Sequence, residues 1–272
     1  MAPPRRLITG FSNPTVKFLR SLRDKKHRRA EHRFLAEGLR LLTDARASGR
    51  LPEMLVMASA RAPHPLLDAL EAEVAAAGGE VLEMGAELLS RVTGKDNPQA
   101  VCGVFAEFDT GLAALDRAAA PIWLVAQALR DPGNLGTMLR TGDAIGAGGL
   151  ILIDDCADPF SAEAVRASMG AIFTQRLARA RRDEFLPWLR GGPGQLVAAS
   201  LRDAQPYRDA PYRAPAFLLV GNESRGLPIE YEAACDLRVT LPMKGRADSL
   251  NAAVAAAVLG YEVLATIAPS SP

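Results

Sequence analysis

The sequence predicts an α/β protein: a mostly parallel β-sheet with helices on both faces, preceded by a smaller α/β domain. Three observations carry this. Short apolar runs alternate with segments of helical period along most of the 272 residues, the pattern of strands feeding crossover helices. An alanine-rich stretch over 109–120, without periodicity, divides the alternation into two series. Three glycine-bearing polar loops follow predicted strands of the second series, the position where open parallel sheets hold their ligands.

Asn13-Pro14 reads as a helix start, with Asn as the N-cap and Pro at the first helical position. Val16, Phe18, Leu19 and Leu22 give this helix an apolar side, and Lys17, Arg20, Arg23, Lys25, Lys26, Arg28, Arg29 and Arg33 supply the rest. Residues 34–37 read as a short strand ended by Gly38, and 39–47 as a helix stopped by Gly49. A buried strand is predicted over 53–58, a helix over 65–77, a strand over 80–84, a short helix over 86–92 and a strand over 101–108. These form the small α/β domain, residues 1–108, and 109–120 form the linker. The second domain, 121–272, opens with a strand at 122–127, a helix at 135–145 and a strand at 150–153. A helix at 162–169 behind the N-cap Ser161, a strand near 174–177, a helix at 184–189 and a strand at 196–200 follow. Strands at 216–220 and 237–241 precede an alanine-rich final helix over 250–268.

Composition sets limits on function. Hydrophobic residues make up 49% and charged residues 23%, ordinary for a folded globular protein. The net charge is +1, yet residues 1–50 hold 13 Lys and Arg against four Asp and Glu. A basic end on a near-neutral chain reads as a local contact with a polyanion, or as a solvated helix face. Cys102, Cys156 and Cys235 are three in number and lack CxxC spacing, which speaks against a disulfide framework or a zinc site. They read as small buried residues in a reducing, cytoplasmic setting. The alanine-rich stretch 250–268 carries Asn251 and Glu262 and fits a core helix better than a membrane span. The basic N-terminus lacks the apolar segment of a signal peptide.

The three loops are Asp131-Pro132-Gly133-Asn134-Leu135-Gly136, Val220-Gly221-Asn222-Glu223-Ser224-Arg225-Gly226-Leu227, and Leu241-Pro242-Met243 through Ser249-Leu250-Asn251. Each alone is an ordinary glycine turn. The first lacks GxGxxG, and no Walker lysine pattern occurs, so a dinucleotide or nucleoside triphosphate site is not indicated. Asp154, Asp155 and Asp158 have no His or further carboxylate at ligand spacing, so no metal site is expected.

Together, in order and in strand context, the loops resemble the three motifs of the SpoU/TrmH family of SPOUT methyltransferases, over roughly residues 121–268. A weaker similarity over 7–108, around Phe34-Leu35-Ala36-Glu37-Gly38, is to the substrate-binding domain of the ribosomal RNA members. Ala252 and Ala253 stand where the family usually has Val or Ser. The resemblance implies a knotted SPOUT-type sheet with a deep trefoil knot, a homodimer, S-adenosylmethionine as cofactor and RNA as partner. It implies that Val220, Gly221, Leu241, Met243 and Leu250 hold the cofactor, and that Asn134, Arg140, Glu223, Ser249 and Asn251 are the catalytic set. The implied reaction is methylation of a ribose 2′-hydroxyl. Ribosomal RNA is favoured over transfer RNA by the added N-terminal domain. Phe160, Arg166 and Ser168 are further candidates to face RNA.

The residues are consistent with that chemistry. A ribose hydroxyl is a poor nucleophile and needs help in losing its proton or in stabilising the alkoxide. His27, His32 and His64 all lie in the first domain, so a base in the second domain is Glu223 or a group on the RNA. Arg140 stays protonated and suits a phosphate or alkoxide clamp. On their own, Arg140 reads as a surface helix residue, Glu223 as an ion-pair partner of Arg225 or Arg246, and Asn134 as a helix N-cap. The competing readings are a transfer RNA methyltransferase and a non-catalytic RNA-binding ribosome-assembly factor.

Overall fold

A computed structural model describes residues 5–267. They form two units: residues up to Glu107 together with Phe160–Thr174, and Phe108–Pro159 together with residues from Gln175 on.

The first unit comprises β1 (Arg6–Ile8), α1 (Pro14–Ser21), α2 (Lys25–Glu31), β2 (Arg33–Glu37), α3 (Leu39–Ala47), β3 (Met54–Ala58), α4 (Pro65–Ala76), β4 (Glu80–Met84), α5 (Ala86–Thr93) and β5 (Val101–Ala106). The sheet runs β1-β4-β3-β5-β2, with β1, β4 and β3 parallel and β5 antiparallel to both its neighbours. The apolar side of α1 (Val16, Leu19, Leu22) packs with Leu88, Leu89 and Val92 of α5 in one core. β1, only three residues long, gives no readable alternation in the sequence.

The basic segment is two helices, not one. Asp24 accepts from the Lys26 backbone N–H at 2.7 Å and caps α2. Arg28, 4% exposed, turns inward and donates to the Leu22 and Arg23 carbonyls at 2.8 and 2.7 Å. Those carbonyls are ones a helix end leaves without intrahelical partners, so Arg28 serves the turn and is closed to any polyanion. Arg33 lies in β2 and pairs with Glu53 at 2.6 Å.

Phe160 and Phe173 explain why Phe160–Thr174 belongs to this unit. Their ring centroids lie 4.9 Å from Phe34 and 4.8 Å from Phe105, spacings typical of paired aromatics in a core. Phe160 and Ser168 are 1% and 0% exposed, which excludes the RNA-facing role their position in the sequence suggested. Ser161 caps the following helix, accepting from the Ala164 backbone N–H.

The second unit comprises β6 (Ile122–Gln127), α6 (Pro132–Ala144) and β7 (Gly149–Ile153); the chain then passes through α7 (Ala162–Ala167) and α8 (Ala171–Thr174) of the first unit. It continues with β8 (Arg176–Ala180), α9 (Arg182–Arg190), β9 (Gln195–Ala199), β10 (Gln205–Pro206), β11 (Ala216–Val220), α10 (Ile229–Ala234), β12 (Leu237–Thr240) and α11 (Ala252–Ile267). All seven strands are parallel, in the order β10-β12-β9-β11-β6-β7-β8. α6 and α11 pack on one face. Phe185 of α9 and Tyr231 of α10 join Trp123, Val125, Ile151, Phe217 and Leu219 on the other. The α/β sheet with helices on both faces is therefore as expected, and wholly parallel. The final helix starts at Ala252 rather than 250, and its expected end at Ala268 lies outside the described residues. Among the described residues no helix is long and apolar enough to cross a membrane.

This strand order positions the site. From β6 the chain steps outward to β7 and β8, then returns to β9 and β11 on the other side of β6. The order reverses between β6 and β11, and open α/β sheets bind ligands beyond the strand ends at such a point.

Candidate active site

A cleft of ≈ 360 Å³ opens beyond the ends of β9, β11 and β12, within the usual size range of small-molecule sites. Val220, Gly221, Leu241, Met243 and Leu250 all line it, as do Glu223 and Ser249. Gly221 has a steric reason to be glycine. A Cβ there would lie 2.5 Å from the Gly226 carbonyl carbon and 2.7 Å from the Leu227 nitrogen, and backbone cannot swing aside as a side chain does. The loop closes on itself through a bridge between Asn222 and Gly226, the latter at φ +66. The Asn222 carboxamide oxygen accepts from the Ser224 and Arg225 backbone N–H groups at 3.0 and 3.1 Å.

One wall of the cleft went unread in the sequence. Ser200 donates to Glu232 at 2.6 Å, and Arg202 pairs with the same carboxylate at 3.1 Å. Glu232 is only 6% exposed. The loop after β9 has no glycine to flag it, and α10 is too short to show a helical period.

The three motif loops are joined by one directional chain of hydrogen bonds. The Asn251 carboxamide donates to Asn134 Oδ1 at 2.8 Å, and Asn134 Nδ2 donates to Glu223 Oε1 at 3.2 Å. The direction follows from chemistry. A carboxylate only accepts, so Asn134 must offer it the NH₂ end, which leaves the Asn134 oxygen for Asn251. Asn251 then keeps its own oxygen for the Ala253 and Val254 N–H groups, at 2.9 and 3.3 Å, and so caps α11. The Asn222 amide adds a further tie, donating to the Ala128 carbonyl at 2.8 Å.

Asn134 is free for this task because Asp131 caps α6, accepting from the Asn134 backbone N–H at 2.6 Å. The helix therefore starts at Pro132 rather than at 135 as the pattern suggests, and Asn134 is not the N-cap. Glu223 in turn accepts from the Arg130 and Asp131 backbone N–H groups, both at 3.3 Å. Partial desolvation pushes its carboxyl upward, but N–H donors from its own backbone, Asn134, Arg130 and Asp131 outweigh this and hold it below the ordinary carboxylate value. Neither Arg225 nor Arg246 pairs with it among the described residues. A lowered folded value means its hold on the loops is complete above the ordinary carboxylate range and is lost as pH falls through the lowered value. The same lowering makes it a weak base and a strong anchor.

Asn134, Glu223 and Asn251 thus meet directly, and Ser249 stands on the cleft lip, donating to Asp248 at 3.0 Å. Arg140 does not join them. It lies six residues beyond Asn134 on α6, about 9 Å along the axis and about 120° around it. It is exposed, and its guanidinium has no hydrogen-bond or ion-pair partner among the described residues.

The directional chain makes a sharp prediction. Asn134→Asp sets a second carboxylate against Glu223, and one of the pair must then bind a proton. We expect the variant to lose most of its activity at neutral pH and to recover relative to the unaltered protein as pH falls and the introduced carboxylate protonates. Near-normal activity of Asn134→Asp at neutral pH would show that the chain of bonds is not needed.

The acidic residues considered for a metal have protein partners instead. Asp154 accepts from Gln127, from the Tyr231 hydroxyl and from the Arg182 backbone N–H. Asp155 pairs with Arg130, and Asp158 with Arg179. The three cysteines are free thiols. Burial pushes Cys102 and Cys235 up to about 12 and Cys156 up to about 11, which keeps them protonated and unreactive.

The chain is similar to known proteins over most of its length. The profile of the SpoU rRNA Methylase family matches residues 121–261, and that of the MRM3-like substrate binding domain matches 13–103. The chain is 31% identical to the 23S rRNA (guanosine(2553)-2'-O)-methyltransferase RlmP of Bacillus subtilis, over 94% of this chain and 98% of that protein. Among solved structures, an AdoMet-bound rRNA methyltransferase from Sinorhizobium meliloti is 39% identical, with a TM-score of 0.89 over 95% of this chain and 97% of that one. The SpoU methyltransferase AviRb from Streptomyces viridochromogenes is 28% identical, with a TM-score of 0.83 over 93% of this chain and 97% of that one.

Proposed function

The chain belongs to the SpoU rRNA methylase family, and from that premise we propose that it transfers a methyl group from S-adenosylmethionine to a ribose 2′-hydroxyl of ribosomal RNA. The observation that carries the proposal is the bonded set Asn134–Glu223–Asn251 beside a cleft whose floor, at Gly221, admits no side chain. Val220, Gly221, Leu241, Met243 and Leu250 would hold the cofactor, largely by backbone and apolar contact. When bound, S-adenosylmethionine supplies a methyl group already activated on a sulfonium. The protein then has to orient the ribose oxygen and stabilise it as its proton leaves.

In this reading Glu223 fixes the loops and orients the Asn134 amide, while Ser249 and Asn251 position the ribose. Arg140, with five N–H donors and no partner of its own among the described residues, clamps the developing alkoxide or an adjacent phosphate. With Glu223 held below the ordinary carboxylate value, the hydroxyl proton is better assigned to a group on the RNA or to solvent. Incubation with labelled cofactor and separate ribosomal and transfer RNA pools tests the substrate. Label is expected in ribosomal RNA. Label only in transfer RNA, or cofactor binding without transfer to either, would favour the competing readings.

A second copy belongs to the same reading. Leu250, Val254, Val258 and Tyr261 recur on one side of α11 and its start and are 41%, 46%, 38% and 56% exposed. A two-fold dimer buries such a self-complementary apolar stripe. Light scattering is expected to give twice the 28.9 kDa chain mass, and a monomer at micromolar concentration would contradict the dimer. The trefoil knot is also part of the proposal. It is supported by the return of the chain from β12 past β9 to α11, which packs on β11, β6 and α6. A cytoplasmic location fits an RNA substrate and three free thiols.

A further inference from the structure

A second depression, an open groove of ≈ 810 Å³, lies beside the Asn222–Leu227 loop and shares part of that loop with the cofactor cleft. Three arginines line it, each from a different strand end: Arg130 after β6, Arg202 after β9 and Arg225 after β11. β9, β11 and β6 are neighbours in the sheet, so the topology itself gathers these cations. Arg130 and Arg202 have 61% exposed side chains and pair through a single nitrogen each, with Asp155 and Glu232. Most of their N–H donors therefore remain open to a ligand. Arg225 is exposed and its side chain has no partner among the described residues. Ile229, 67% exposed, adds an apolar surface on the same groove.

We propose that this groove seats the phosphates flanking the target nucleotide of an unpaired RNA strand, with Ile229 against the face of an unstacked base. The inference rests on the RNA methyltransferase reading and adds to it the path of the strand at the catalytic unit. The position is right for this. The backbone N–H of Arg130 donates to Glu223, so the groove begins where the Asn134–Glu223 pair ends. The chemistry is also right. Fanned guanidinium groups match phosphate oxygens, specific RNA recognition relies on splayed, unstacked bases, and an extruded base packs against aromatic or apolar side chains. Arg202 and Arg225 also border the cofactor cleft, whereas Arg130 lines the groove alone, so cofactor affinity is the control that separates the two sites.

The test uses the full chain with Arg130→Gln, Arg225→Gln and Arg225→Glu. RNA affinity is measured against salt for a mixed-sequence unpaired oligoribonucleotide and for ribosomal RNA, with KM for RNA and affinity for S-adenosylmethionine alongside. Each Gln variant is expected to weaken RNA binding and raise KM by up to about fivefold, the upper end for one exposed charge contact. Each should also reduce the salt slope by about 0.7, the contribution of one phosphate on a single strand. Arg225→Glu should exceed Arg225→Gln, and cofactor affinity should hold. Unchanged RNA affinity and salt slope in all three variants would overturn the proposal. So would an equal loss of cofactor affinity, which would assign the arginines to the cleft. If no protein transfers methyl groups but the variants still bind RNA more weakly, the methyl-transfer reading fails and the groove stands.

Discussion

Arg140→Ala is expected to slow methyl transfer by about 10²-fold or more, the scale for losing one preorganised donor to developing charge, while cofactor affinity stays close to that of the unaltered protein. The separation follows from position. Arg140 does not line the cleft that Gly221, Leu241 and Leu250 share, and its guanidinium makes no bond among the described residues that its loss would break. An exposed helix residue of that kind contributes little to stability, so a large rate effect has to come from contact with the substrate. Arg140→Lys keeps the charge but loses the planar fork and is expected to fall nearly as far. Single-turnover transfer from labelled cofactor, with cofactor binding measured by calorimetry, separates the outcomes. Near-normal turnover by Arg140→Ala would remove it from the mechanism. A rate loss matched by lost cofactor affinity would make it a support of the pocket.

Gly221→Ala is expected to have the opposite signature. The added Cβ meets the Gly226 carbonyl carbon at 2.5 Å, so the loop must open. Overpacking of this kind costs about 1–3 kcal/mol, or about 5–150-fold in affinity if the strain is released by distorting the cofactor wall. Cofactor affinity should therefore fall with the rate. Normal cofactor affinity in Gly221→Ala would mean that the cofactor does not rest on this loop.

The fold was legible where the pattern is long and the breaks are chemical. Strands such as Ile122–Gln127 and Ala216–Val220 carry long apolar runs buried on both faces, and Asn13, Ser161 and Gly49 mark helix ends as their side chains or φ values require. The wall of the cleft was legible only through its three loops taken together, whose order and strand context resemble the family motifs. What escaped reading depended on tertiary contact. In Asp131-Pro132-Gly133-Asn134 either polar end can cap a helix, and only the arrival of Glu223 and Asn251 decides that Asn134 is drawn away. Arg28 looked like one more exposed cation until the break at Leu22 gave it two carbonyls to satisfy. The segment Phe160–Thr174 looked like an ordinary crossover of the second sheet, and its membership of the first unit is fixed by Phe34 and Phe105, more than fifty residues away. The Ser200–Glu232–Arg202 set has no sequence signature at all, because its members come together only through strand order.

The expected product is a ribose 2′-O-methyl group. Ribosomal RNA treated with the protein and labelled S-adenosylmethionine, then hydrolysed in alkali, distinguishes ribose from base methylation, since a 2′-O-methyl group blocks cleavage of the adjoining phosphodiester. Label is expected in an alkali-resistant dinucleotide, is expected to be lost with Arg140→Ala, and is not expected in DNA of the same sequence, which lacks the 2′-hydroxyl. Label recovered in single nucleotides, or transferred equally to DNA, would contradict ribose methylation.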